Sequence, residues 1–292
     1  MKKIRKAIIP VAGIGTRMLP ATKSIPKEML PIYDKPLIQL VVEEAIDGGI
    51  EEIILITRSG KEAIENHFEK NYELEKYLNK KNKKKELLAV KYLIQKKIKI
   101  YSIRQENPLG LGHAILCAKD LIKNENFVIL LPDEILFKKD KENDLKKMID
   151  FFHKTNNGQI LVDKVKKKQL ENYGVVNLKK KNFKKNVTEK IYHISEKPNI
   201  EKAPSNYRVV GRYVLPHEVF SFLEKCAPDK SGEIQLTEAL NKLSKDKGFG
   251  LNALLSDSNI FDCGTRIGFI GANITTAMKE KGLKKYIREI ID

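Results

Sequence analysis

The sequence predicts an α/β protein built on a mostly parallel, doubly wound sheet, and three observations carry that prediction. Short apolar runs at 7–12, 52–57, 98–103 and 127–131 read as strands, the first with the pattern of a buried one. Between them, Leu37 to Ile46 and Leu111 to Ile122 repeat apolar residues at helical spacing, and Gly48-Gly49 stops the first of these. A glycine loop follows the first run and a Pro132-Asp133 step follows the fourth, so both fall beyond the carboxyl ends of strands, where sheets of this kind bind ligands.

After about residue 158 the strand-like pieces shorten, Gln159 to Val165, Tyr173 to Leu178 and Tyr207 to Leu215, and lysine-rich loops separate them. This predicts a mixed extension of the sheet with a second binding region. Phe220 to Lys225, Leu236 to Leu243 and Ile267 to Met278 read as helices packed around it, and Leu283 to Ile291 as a short amphipathic helix. The charged, poorly punctuated stretch from Asn71 to Lys97 reads as a helical insertion. No internal repeat is present, and 292 residues suit one elaborated domain.

Lysine and arginine total 55 against 38 acidic residues, a formal charge of +17 that by itself fits nucleic acid, a membrane surface or a polyphosphate substrate. Much of the excess sits in runs such as Lys83 to Lys85, Lys166 to Lys168 and Lys179 to Lys181, which read as solvated loops. Neither a basic helix nor interleaved aromatics offers a surface for DNA or RNA, so no nucleic-acid partner is expected. Cys117, Cys226 and Cys263 form no Cys-x-x-Cys pair, which argues against a disulfide framework or zinc knuckle and for a reducing compartment. The basic start, Met1 to Lys6, runs into Gly13 with no small-residue cleavage site, and no apolar stretch approaches the ~18 residues a bilayer requires. A soluble, cytoplasmic protein with no membrane partner is expected.

The segment most charged with chemistry is Gly13-Ile14-Gly15-Thr16-Arg17, followed by Pro20, Lys23 and Pro26-Lys27-Glu28-Met29-Leu30-Pro31. Glycines leave backbone amides open to a phosphate, and Arg17 and the lysines supply charge for a triphosphate. Two glycines alone would suit an ordinary turn; three cations close behind them favour a phosphate loop. Met18 stands where a dinucleotide fingerprint needs glycine, and no Gly-Lys-Ser or Gly-Lys-Thr closes a Walker loop. Asp133, just past an apolar strand, could hold a divalent cation against phosphate oxygens, although a lone Pro-Asp step more often marks a turn or helix cap. Asp262, before Cys263-Gly264, has the same two readings. Glu196-Lys197 pairs an acceptor for hydroxyls with a cation for a phosphate, or is a surface salt bridge.

Together these motifs resemble the signature of the sugar-1-phosphate nucleotidyltransferase family, and Lys27 to Pro31 is similar to its bacterial glucose-1-phosphate uridylyltransferase branch. The resemblance spans nearly the whole chain through Arg104-Gln105, Leu109 to Ala114, Leu131-Pro132-Asp133, Tyr173 to Val176, Glu196-Lys197-Pro198, Val210 to Tyr213, Gly232 to Thr237 and Asp262-Cys263-Gly264. It implies a Rossmann-like doubly wound mixed sheet of the nucleotidyltransferase type with a small sugar-binding extension. Residues 1–157 would form the nucleotide-binding half, 158–265 the sugar-phosphate half and 266–292 the C-terminal helices.

The implied substrates are UTP and glucose 1-phosphate. The implied metal is Mg2+ on Asp133 and Asp262, with Arg17, Lys27, Asp133 and Lys197 as catalytic residues. Ala12, Gly13, Gly15, Thr16, Glu28, Gln105, Gly112 and His113 would bind the nucleotide; Gly174, Glu196, Lys197 and Gly211 the sugar phosphate. His113 is expected to shape the uridine pocket or merely to pack, because a phosphate monoester is already anionic and needs no general base. Arg266 stands where the family usually has lysine, and an arginine fork does not replace an ammonium. The resemblance also implies a homodimer or homotetramer through the C-terminal helices. A thymidylyltransferase of the same sugar and a catalytically weak regulatory relative are the alternatives.

Overall fold

The computed structural model describes residues 3–96, 98–138, 142–180, 182–280 and 282–291. Met1 and Lys2 of the basic start, Lys97 at the end of the helical stretch and Lys181 of one lysine run lie outside the described residues.

In chain order, β1 (Lys6–Pro10) leads into a loop wound in three 3-10 turns, Thr16–Met18, Ala21–Lys23 and Lys27–Met29, and a ribbon of β2 (Pro31–Ile32) and β3 (Lys35–Pro36). Next come α1 (Leu37–Asp47), β4 (Glu52–Thr57), α2 (Glu62–Phe68), α3 (Tyr72–Lys80), α4 (Lys84–Gln95) and β5 (Lys99–Arg104). They are followed by α5 (Gly110–Leu116), α6 (Lys119–Ile122), β6 (Phe127–Leu130), β7 (Glu134–Phe137) and α7 (Asp144–Thr155). The remainder runs β8 (Gly158–Lys164), β9 (Val175–Leu178), β10 (Thr188–Ser195), β11 (Tyr207–Leu215), α8 (Val219–Leu223) and α9 (Leu236–Leu243). It ends with β12 (Leu251–Leu255), β13 (Asn259–Asp262), α10 (Arg266–Ala277) and α11 (Leu283–Ile291).

One sheet runs β5-β4-β1-β6-β11-β8-β12-β10-β9. Its first four strands are parallel. β11 then enters antiparallel between β6 and β8, and β12 is again parallel to β8. The antiparallel strands β10 and β9 complete the far edge, so the sheet is mixed and continues across residue 158. Strand alternation explains why the inner parallel strands are largely apolar: Ala7, Ile9, Ile53, Leu55, Val128 and Leu130 enter one core, while Ile8, Ile54, Ile56, Phe127 and Ile129 enter the other. β5 lies at the sheet edge and is mostly exposed, with Lys99, Tyr101, Ser102 and Arg104 open to solvent. α1 and α7 cover the first face; α5, α6, α8 and α9 cover the second.

The expected helix over Leu111–Ile122 is two helices. At Ala118 the backbone bond tightens, Ala118 N–H donating to Ile115 O, and both Ala118 and Ile122 stay fully buried across the break. The stretch from Asn71 is a helix pair, α3 and α4, joined by Lys91 Nζ to Glu75 Oε2 at 3.1 Å. Sequence reading missed α2, α7, the short β2 and β3, and β7, β12 and β13. α7 carried a readable signal: the Asn143 side chain accepts from Lys146 N at 2.8 Å as an N-cap, ahead of Leu145, Met148, Ile149 and Phe152 at helical spacing.

Candidate active site

The loop from Gly13 to Pro31 is held in place by its own glycine. Gly15 takes φ +80°, its carbonyl accepts from Thr22 Oγ1 at 2.8 Å, and a Cβ there would meet Lys27 Cβ at 3.3 Å. This close approach carries Lys27 back beneath the start of the loop. Lys27 Nζ donates to Asp133 Oδ2 at 2.9 Å, and Arg17 Nη2 lies 3.5 Å from the same oxygen. Arg17 Nη1 lies 3.9 Å from Asp262 Oδ2, while 60% of the Arg17 side chain remains exposed.

A short antiparallel ribbon brings the two aspartates together. β13 pairs with β7 so that Asp262 faces Glu134, which puts Asp133 and Asp262 at one end, and Cys263 N donates to Asp133 O at 2.7 Å. Asp262 is oriented by the Tyr173 hydroxyl at 3.3 Å and by Gly264 N at 3.0 Å. A Cβ on Gly264 would stand 2.6 Å from Arg17 Nη2 and 3.0 Å from Asp262 Oδ1, so any larger residue there would displace the Arg17 guanidinium. Burial by itself would raise the Asp133 pKa, yet Lys27 and Arg17 outweigh it and hold the carboxyl below its ordinary value. Burial likewise opposes the Lys27 charge, and Asp133 and Glu28 outweigh it in turn. Two carboxylates and two basic side chains thus converge at one point.

A cleft of about 1060 Å³ opens from this point, lined among others by Thr16, Arg17, Asp133, Asp262, Gly174, Glu196, Lys197 and Gly211. Lys197 has no ion-pair partner among the described residues, and its backbone sits at φ +40°, pinned by its N–H to Tyr173 O at 3.2 Å. A lysine held in the left-handed region marks a position fixed by its surroundings. Glu196 Oε2 accepts from Thr237 Oγ1 at 2.9 Å, and a Cβ on Gly174 would approach that oxygen to 3.4 Å. Gly211 donates its N–H to Glu134 Oε2 at 2.6 Å, and any Cβ would collide with Leu131.

A second cleft, of about 740 Å³, is lined by Ala12, Arg58, Ser59, Arg104, Gln105, Glu106 and Pro108. His113 stands behind it, its Nδ1 3.0 Å from Gln105 Nε2. Of the expected nucleotide residues, Thr16 lines the first cleft and Ala12 and Gln105 the second, while Gly13, Gly15, Glu28, Gly112 and His113 line neither. Glu28 is 1% exposed and accepts from Lys61 Nζ at 2.7 Å, and burial lowers the pKa of that lysine despite the pairing. Gly112 directs its N–H to Ile234 O at 2.8 Å, where a Cβ would stand 2.7 Å from that oxygen; it packs α5 against the 234 segment.

Sequence reading also missed the support beneath Asp133. Arg212 is fully buried; it forks onto both Glu44 carboxylate oxygens at 2.8 Å and donates to Leu131 O and Glu134 O, the backbone on either side of Pro132-Asp133. An arginine inside the apolar strand Tyr207–Leu215 was the available signal, because a buried charge requires a partner. Arg266, at the start of α10, donates to Leu19 O at 3.1 Å.

Among the described residues no group of three or more His, Cys, Asp or Glu side chains could hold a metal, and no helix is long and apolar enough to cross a membrane. The UTP–glucose-1-phosphate uridylyltransferase of Haemophilus influenzae is 44% identical over 289 residues, covering 98% of this chain and 97% of that protein. The enzyme of the same name from Bacillus subtilis is 41% identical over 97% of this chain and 94% of its own length. Among solved structures, UTP-bound UGPase from Acinetobacter baumannii superimposes with a TM-score of 0.91 at 39% identity, covering 99% of both chains. Residues 6–278 match the nucleotidyl transferase family, and the chain belongs to it.

Proposed function

We propose that the chain transfers the uridylyl group of UTP to glucose 1-phosphate, giving UDP-glucose and pyrophosphate. One observation carries this reading: Arg17, Lys27, Asp133 and Asp262 converge at one end of a cleft whose other wall presents an unpaired Lys197 beside Glu196. Two anionic reactants need such a site, since the protein must chiefly hold them together against their repulsion. A phosphate oxygen of the sugar attacks the α-phosphorus of UTP, a new P–O bond forms, and the bond to the bridging oxygen of pyrophosphate breaks.

Arg17 and Lys27 receive the charge that gathers on the leaving pyrophosphate. Lys197 holds the sugar phosphate, and Glu196, fixed by Thr237, accepts from hexose hydroxyls. The cleft at Ala12 and Gln105 takes the pyrimidine. The donor set at Asp133 and Asp262, two hard carboxylates and no softer ligand, suits Mg2+, which keeps several waters and completes its shell with phosphate oxygens. When bound, Mg2+ supplies charge neutralisation between the phosphates.

We further propose a cytoplasmic homodimer or homotetramer. Its three cysteines form no disulfide, and Ile267, Ile270 and Ile274 of α10 with Tyr286 and Ile290 of α11 expose apolar surface that a second copy would cover. Pyrophosphate release measured with UTP, dTTP, CTP and ATP against glucose 1-phosphate and other hexose phosphates tests the substrate assignment. The expected pair is UTP with glucose 1-phosphate. An equal or better kcat/KM with dTTP would replace uridylyl with thymidylyl transfer, and no release with any pair would reject the reading.

A further inference from the structure

The side-chain amide of Gln105 has only one chemically allowed orientation. Its Nε2 lies 3.1 Å from Gly110 O, and a carbonyl can only accept, so the group facing Gly110 is the NH2. The second amide hydrogen points to His113 Nδ1 at 3.0 Å. That ring nitrogen therefore accepts, and the imidazole is the neutral tautomer with its proton on Nε2. The residue is pinned from the main chain as well, its N–H donating to Thr57 O at 2.8 Å.

With both amide hydrogens engaged, Gln105 has only Oε1 left to offer. Oε1 is not among the sealed, unpartnered atoms of the protein, and Gln105 lines the cleft with Ala12 and Ser59. The cleft therefore meets a ligand edge with an acceptor and requires a donor opposite. Uracil supplies one, the ring N3–H; cytosine carries a lone pair at that position, and two acceptors facing each other leave both unpaired.

We propose that His113 is a positioning residue that sets nucleobase selectivity: by accepting from Gln105 it locks Oε1 toward the cleft, so that bases with a ring N–H are taken and cytosine is rejected. This rests on the reading of that cleft as the pyrimidine site. It takes no proton from the substrate and acts only through the glutamine. Removing the acceptor leaves the amide held by Gly110 O alone, so that a turn which gives up this one remaining bond can present its NH2 to the N3 lone pair of cytosine.

The test is kcat/KM for UTP and CTP with glucose 1-phosphate saturating, in the wild type and in His113→Leu, His113→Asn and Gln105→Leu. His113→Leu should lower the UTP/CTP ratio about tenfold or more, with KM for glucose 1-phosphate unchanged. His113→Asn, whose Oδ1 stands in place of Nδ1, should retain most of the ratio. Both nucleotides are assayed on the same preparation, so any loss of folded enzyme cancels, and calorimetric titration of UTP and CTP gives the ratio for a variant too slow to assay. An unchanged ratio in His113→Leu with a collapsed one in Gln105→Leu would overturn the role of His113 and leave the pyrimidine site standing. An unchanged ratio in both would overturn the two together.

Discussion

The two sides of the site that meet at Asp133 are assembled differently. The loop that carries Arg17 and Lys27 is contiguous in sequence, follows one parallel strand and is organised by Gly15. The cleft proposed for the sugar phosphate draws Tyr173 and Gly174 from before β9, Glu196 and Lys197 from after β10, Gly211 from within β11 and Thr237 from the first turn of α9. On the first side, backbone conformation positions charge that is balanced by two aspartates. On the second, side chains fix one another, Thr237 holding Glu196 and Tyr173 O holding the Lys197 backbone. The phosphate loop should therefore govern rate, and the other side affinity for one substrate.

Asp133 belongs to both sides, so its removal tests the comparison most severely. Asp133→Ala should lower turnover in magnesium about 10³-fold, as expected when charge stabilisation worth several kcal/mol is lost. Retention of a tenth of the wild-type rate would detach the metal from this residue. Arg212→Ala would act beneath both sides by leaving the mostly buried Glu44 unpaired, and urea unfolding should show a loss of about 3 kcal/mol. A loss under 1 kcal/mol would mean that the Leu131–Glu134 backbone is held without it.

Arg17→Ala separates the sides. It should reduce kcat about 10²–10³-fold with little change in KM for UTP, the effect of losing one donor to charge that builds in the transition state. A change confined to KM would move Arg17 to the ground-state phosphates. Lys197→Ala should raise KM for glucose 1-phosphate about 10- to 100-fold, in line with ~1.5–3 kcal/mol for a hydrogen bond to a charged group, while UTP titrates normally. Equal weakening of both ligands would erase the distinction between the sides. Thr237→Val should give the smallest effect, about a two- to tenfold rise in the same KM, and an unchanged KM would show that Glu196 needs no support.

Legibility in the sequence followed the range of the interactions. The strands β1, β4 and β6 were readable because a strand buried on both faces must be apolar at every position. The sheet order, the ribbon of β7 with β13 and the tertiary partners of Arg212 were not, since each joins segments far apart in the chain. Glu28 and Gly112 show the same limit within a motif. Each sits among expected nucleotide residues, yet Glu28 turns inward to Lys61 and Gly112 turns its amide to Ile234, contacts that no local pattern announces.

By itself the sequence determined an α/β protein with a glycine loop after its first strand, because strand periodicity and glycine conformation act over a few residues. Tertiary structure alone decided that Asp262 joins Asp133, that Glu134 is tied to Arg208 and Gly211 N, and that Gln105 faces its cleft with an oxygen. Those outcomes depend on which donors and acceptors meet when distant segments pack, and a hydrogen bond acts only between groups already in contact.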